Sequence, residues 1–111
     1  MPIPDAADIF VSADKVLRFL LVPEHKDNKG RARLLFGLGY SVEDWETLAS
    51  DLRSMALECD AIAVPSQHGR RFHVHGMLNG SKGSRPFRTI WEIRPGEDVA
   101  RFVSAYPRSR L

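Results

Sequence analysis

The 111-residue sequence predicts an α+β domain in which N-terminal helices pack on a four-stranded antiparallel β-meander. Two observations carry that expectation. Up to Asp60 the apolar residues recur at helical spacing; beyond it they alternate with a period of two, and turn residues interrupt the alternation at short intervals. Size agrees with both: a chain with 43% apolar and 27% charged residues is expected to be a single domain over 1–111, with core enough to fold without disulfides or structural metal.

Ile9, Phe10 and Val11 suit a short edge strand. Ser12 offers a side-chain oxygen as N-cap to a helix over 13–21, whose inner face is Val16, Leu17, Leu20 and Leu21 and which Pro23 ends. Residues 24–30 are charged, lack periodicity and close on glycine, so they read as an exposed loop. Residues 31–38 form a second helix stopped at Gly39. Ser41 caps a third, with Glu43 and Asp44 at the positive end of its dipole and Trp45, Leu48, Leu52, Met55 and Ala56 as its apolar stripe.

After Asp60, strands are expected over 61–65, 71–79, 87–94 and 102–106, with turns at 67–70 and 80–84 and a turn of helix within 97–101. Phe72, Val74 and Leu78 share one face while Arg71, His73, His75 and Met77 share the other. Phe87, Thr89, Trp91 and Ile93 likewise separate from Arg88, Ile90, Glu92 and Arg94.

Several classes are excluded at this level. The apolar runs around 16–22 and 34–38 fall far short of the roughly 18 residues that suggest a membrane span. Met1-Pro2-Ile3-Pro4-Asp5 lacks the basic start and apolar run of a signal peptide, and one cysteine, Cys59, makes no internal disulfide, so a cytoplasmic protein is expected. No phosphate-cradling P-loop or nucleophile elbow occurs. His73 and His75 sit on one strand face and can chelate a metal only if a third ligand converges; no ligand spacing supplies one, so neither metal nor cofactor is expected.

The formal net charge of +2 hides an asymmetry. Residues 1–60 hold eleven acids and seven Lys/Arg, a balance of −4; residues 61–111 hold three acids and nine Lys/Arg, a balance of +6. Eight of those nine are arginines, whose planar fork matches phosphate. His25, Arg31, Arg33, Arg88, Thr89 and Tyr106 together supply what metal-free RNA cleavage requires. A histidine transfers protons near neutral pH, arginines hold the phosphate, and hydroxyl or aromatic groups position the sugar and base.

The segments Leu21-Val22-Pro23-Glu24-His25, Gly30-Arg31-Ala32-Arg33, Gly39-Tyr40-Ser41, Arg88-Thr89-Ile90-Trp91-Glu92-Ile93, Pro95-Gly96-Glu97-Asp98 and Val103-Ser104-Ala105-Tyr106-Pro107 resemble a small bacterial domain family of unsettled activity. The resemblance runs from about Lys15 to Pro107. Its element order is similar to the barnase/EndoU/RelE-like ribonuclease fold of many bacterial toxins. That resemblance implies a metal-independent ribonuclease with His25, Arg31, Arg88, Thr89 and Tyr106 catalytic and Arg33, Arg71 and His73 binding substrate. Arg31 stands where the family suggests a lysine, which keeps the charge but removes a proton acceptor. The implied partners are RNA and an antitoxin or immunity-type protein, the latter docking on the acidic helix over 41–58. The alternative is a non-catalytic interaction module that binds a protein or anionic partner through the Arg-rich sheet.

Overall fold

The computed structural model describes residues 1–67 and 69–108. The chain runs β1 (Asp8–Phe10), α1 (Ala13–Lys15), a π-helical continuation (Val16–Leu20), α2 (Arg31–Gly37), α3 (Trp45–Glu58), β2 (Ala61–Val64), β3 (Arg70–Asn79), β4 (Ser84–Ile93) and β5 (Val99–Pro107). No helix among the described residues is long and apolar enough to cross a membrane.

Ser12 caps the first helix as its sequence position suggests, its Oγ accepting from the Lys15 N–H at 3.1 Å. The helix does not run on to Leu21 in α form. It widens from Val16, and the Leu21 N–H closes the last turn on the Val16 carbonyl at 2.9 Å. The cause lies in the following loop, where Asn28 is fully buried and its Nδ2 donates to the carbonyls of Phe19 (2.8 Å) and Leu20 (3.0 Å). Its Oδ1 accepts from the Ala32 N–H at 2.8 Å, so one side chain ties the end of the π-helix to the start of α2. Asn28→Ala takes the side-chain partner from the buried Leu20 carbonyl and Ala32 N–H, while the Phe19 carbonyl keeps the Val22 N–H, and it is expected to lower stability by about 2–3 kcal/mol. Urea denaturation checks this; a loss below about 0.5 kcal/mol, the size of an ordinary surface change, contradicts it.

Among the described residues the sheet is five-stranded and mixed, in the order β1-β5-β4-β3-β2, where a four-stranded antiparallel meander was expected. β2 to β5 do form antiparallel neighbours, but the short N-terminal strand joins them by lying parallel to β5, Asp8 against Val99 and Phe10 against Arg101. This pairing replaces the turn of helix expected within 97–101. Gly96, at φ +78°, turns the chain, the Ala7 N–H bonds the Asp98 carbonyl, and β5 is extended from Val99. The third helix starts at Trp45, because Ser41 Oγ spends its acceptor on the Asp44 N–H in a preceding turn. The expected 67–70 turn includes His68, which lies outside the described residues.

One face of the sheet is buried under α3 and the π-helix. Leu48, Leu52, Met55 and Ala56 meet Phe72, Val74, Phe87 and Trp91 in a single core. Gly76 shows how tightly α3 seats, since a Cβ there would lie 2.9 Å from Met55 Cγ and 3.0 Å from Cys59 Sγ. The opposite face carries Arg71, His73, His75, Arg88 and Ile90, all half-buried or exposed.

Candidate functional site

β5 carries the residue on which the site turns. Its register against β4 shifts by one: Ile90 faces Ser104, but Trp91 faces Phe102, which leaves Val103 as a bulge. An uninterrupted strand would send Phe102, Ser104 and Tyr106 to the same side. With the bulge, Phe102 and Ala105 both enter the core, and Tyr106 emerges on the open face opposite Arg88.

β1 ends at Phe10, opposite Arg101, so among the described residues the rest of that edge of β5 has no strand beside it. Arg31 fills that role. Only 4% exposed, it donates from Nη1 to the Ala105 carbonyl (2.9 Å) and Ser104 Oγ (2.8 Å), from Nε to the Asn28 carbonyl (2.8 Å) and from Nη2 to the Asp27 carbonyl. Its guanidinium carbon lies 4.8 Å from the Phe19 ring centre and 4.4 Å from that of Tyr106. Among the described residues no carboxylate pairs with this cation. Its charge is held by dipoles and ring faces alone, an arrangement that leaves a fixed positive field at the β5 edge.

That field opens into a cleft of about 510 Å³ whose charged lining is Lys15, Lys29, Arg31 and a single carboxylate, Asp27. His25 and Tyr106 also line it. His25 Nδ1 accepts the Asp27 N–H at 3.1 Å, and its ring meets Phe19 edge-on at 5.0 Å. With the Nδ1 lone pair engaged, the neutral ring carries its proton on Nε2 and is a donor there. Lys29 holds φ at +55°, a left-handed conformation uncommon for a residue with a Cβ.

A second group lies on the open face. His75, Arg88 and Tyr106 are successive cross-strand partners over β3, β4 and β5, and the Arg88 guanidinium carbon is 5.9 Å from the Tyr106 ring centre. Burial, then Arg88 and Arg71, push His73 below the usual imidazole range. Burial, then Arg108, Arg88 and His73, do the same to His75.

The structure thus brings His25, Arg31 and Tyr106 to one cleft and sets Arg88 at its rim against Tyr106. His73 lies on the same open face as Arg88, while Arg71 there is bound to Glu92 at 2.8 Å. Arg33 is exposed on α2, outside the cleft lining. Thr89 belongs to the core instead of the site: fully buried, its Oγ1 accepts from Trp91 Nε1 at 2.8 Å and donates to the Val74 carbonyl at 3.1 Å, so it reaches no substrate. Sequence reasoning missed Lys15, Asp27 and Lys29 as cleft residues. For Asp27 and Lys29 the only signal was charge close to His25; Lys15, ten positions earlier, had none. No three His, Cys, Asp or Glu side chains among the described residues are grouped to hold a metal ion.

The architecture is that of an α+β domain with a counterpart among solved structures. It superposes on a chain of a contact-dependent growth inhibition toxin–immunity protein complex from Klebsiella pneumoniae 342, with a TM-score of 0.70 and 17% identity over 89% of this chain and 92% of that one. Residues 2–109 match the family described as "Domain of unknown function (DUF6883)", and the chain belongs to that family. No curated protein matches it.

Proposed function

We propose that this domain is a metal-independent endoribonuclease of toxin type, acting in the cleft at the β5 edge. The observation that carries the reading is Arg31, a buried cation without a carboxylate, beside Lys15, Lys29 and His25 in a cleft open to solvent. Most of its donors are engaged, so it acts as a fixed charge and as the support of Tyr106, while Lys15 and Lys29 meet the phosphate oxygens directly. Asp27, the cleft's one carboxylate, accepts the proton of the ribose 2′-hydroxyl. The 2′-oxygen bonds to phosphorus, the bond from phosphorus to the 5′-oxygen breaks, and His25, entering the step as imidazolium, protonates that leaving oxygen and is left as the neutral ring whose Nδ1 accepts the Asp27 N–H. The products are a 2′,3′-cyclic phosphate and a 5′-hydroxyl. The likeness to a chain from a toxin–immunity complex supports the toxin reading, and it supports an immunity-type protein as the partner that covers the site.

The test is incubation of purified protein with total RNA in EDTA. Wild type is expected to fragment the RNA, and His25→Gln and Asp27→Asn each to slow cleavage about 10²–10⁴-fold without lowering the melting temperature. Intact RNA with wild type, or full activity in both variants, rejects the assignment. A second reading is favoured by the same toxin–immunity pairing: a non-catalytic module that binds a protein through the Arg-rich face. Intact RNA selects it.

A further inference from the structure

The cleft is not the molecule's only uncompensated positive region. On the open face of the sheet, Arg88 and Arg108 have no carboxylate partner among the described residues. The carboxylate carried by that face of β4, Glu92, is already bound to Arg71. Both unpaired arginines act on His75: Arg88 is its cross-strand partner, and Arg108 is fixed near the start of β4 by its N–H on the Pro86 carbonyl at 2.8 Å. His75 Nε2 is buried without a hydrogen-bond partner. Two guanidiniums and an unsatisfied imidazole are therefore held together with nothing of opposite charge among them.

Tyr106 stands between this cluster and the cleft. The guanidinium carbons of Arg31 and Arg88 lie 4.4 Å and 5.9 Å from its ring centre, and it is 37% exposed. Neighbouring strands are about 4.8 Å apart, so the step from β5 to β3 is roughly 10 Å. Cation cluster, aromatic ring, cation cluster is the alternation that a single-stranded polynucleotide presents in reverse as phosphate, base, phosphate. A duplex does not match it, because its bases are stacked on one another and offer no face to a ring.

We propose that the ligand is a single-stranded polynucleotide crossing the sheet from the β5 edge towards β3. One phosphate lies in the cleft by Lys15 and Lys29, the next lies against Arg88, Arg108 and His75, and the base between them rests on Tyr106. The inference rests on the nuclease reading for the first phosphate position and adds a second subsite and strandedness to it. It requires at least two phosphates for full affinity. Anion binding at the second subsite also raises the proton affinity of His75, because it offsets the two arginines that lower it.

Fluorescence anisotropy with 2′-O-methyl oligouridylates of one to five nucleotides tests this, since the blocked 2′-oxygen prevents cleavage. Wild type is expected to bind the trinucleotide at least about tenfold more tightly than the mononucleotide, and a hairpin duplex more weakly than the single strand. In the Arg88→Gln/Arg108→Gln protein, that gain should shrink to less than about threefold while mononucleotide affinity is kept. The ring resonances of His75 should move with the trinucleotide and stay still with the mononucleotide, a readout that needs no substitution. An unchanged length dependence in the double variant, or a duplex bound as tightly as the single strand, overturns the proposal. Protein that cleaves RNA but shows either result loses the second subsite and keeps the nuclease reading. Protein that binds with the expected length dependence yet leaves RNA intact keeps the subsite and loses the nuclease.

Discussion

Trp91→Ala is expected to destabilise the domain by about 3–5 kcal/mol, seen as a lower urea midpoint at unchanged slope. Trp91 is fully buried on the core face of β4, and its ring meets Phe102 edge-on at 5.4 Å. Alanine removes nearly all of that apolar area and leaves a cavity beneath α3, where the close seat of Met55 and Cys59 on Gly76 limits collapse. The indole N–H on Thr89 Oγ1 contributes less. When it is lost, the hydroxyl keeps its bond to the Val74 carbonyl and is not orphaned. Trp91→Phe should therefore recover most of the stability, and a loss below about 1 kcal/mol for the alanine variant would show that this position does not anchor the core.

The alternation that buries Trp91 was legible from sequence, because a strand's side chains change face at every residue whatever its partners. The same rule bears on Thr89. Placed on one face with Phe87, Trp91 and Ile93, it was already incompatible with a site containing Arg88, its neighbour on the opposite face. Reading by residue type, and the resemblance after it, grouped two adjacent residues that a strand necessarily separates. The parallel pairing of β1 left no such local trace. Three residues carry too little pattern to name a partner some ninety positions away. Nor did the bulge at Val103, which exists only relative to β4; the spacing of three between Phe102 and Ala105 was its sole mark.

The site was legible in part for a related reason. His25 and Tyr106 were visible as residue types suited to proton transfer and stacking, and the structure places both on one cleft. Asn28 and Arg31 were not legible as buried groups. A polar residue in an aperiodic segment and an arginine at the start of a helix both read as solvated, and what buries them is distant: Phe19 and Leu20 for Asn28, Ser104 and Ala105 for Arg31. Their burial is a tertiary fact that satisfies backbone groups left open by a short β1 and a widened helix.

Arg31→Ala is expected to lower stability by about 3 kcal/mol, unusually much for an arginine without an ion-pair partner. The substitution removes a buried charge, and that change alone would stabilise. Against it stand the acceptors that lose their donor. The Ala105 carbonyl and Ser104 Oγ lose their donor at a sheet edge that no strand among the described residues covers, the Asn28 carbonyl keeps only the backbone N–H of residue 31, and a gap opens between the rings of Phe19 and Tyr106. Buried unsatisfied acceptors cost about 1–3 kcal/mol each, partly relieved by water entering from the cleft, so the losses outweigh the gain. Arg31→Lys separates charge from geometry. An ammonium keeps the positive field but lacks the planar fork that spans β5, Asn28 and Asp27 while lying flat against two rings, so most of the destabilisation should persist. Urea denaturation of the two variants decides it: a lysine protein as stable as wild type would mean that charge alone matters at this position.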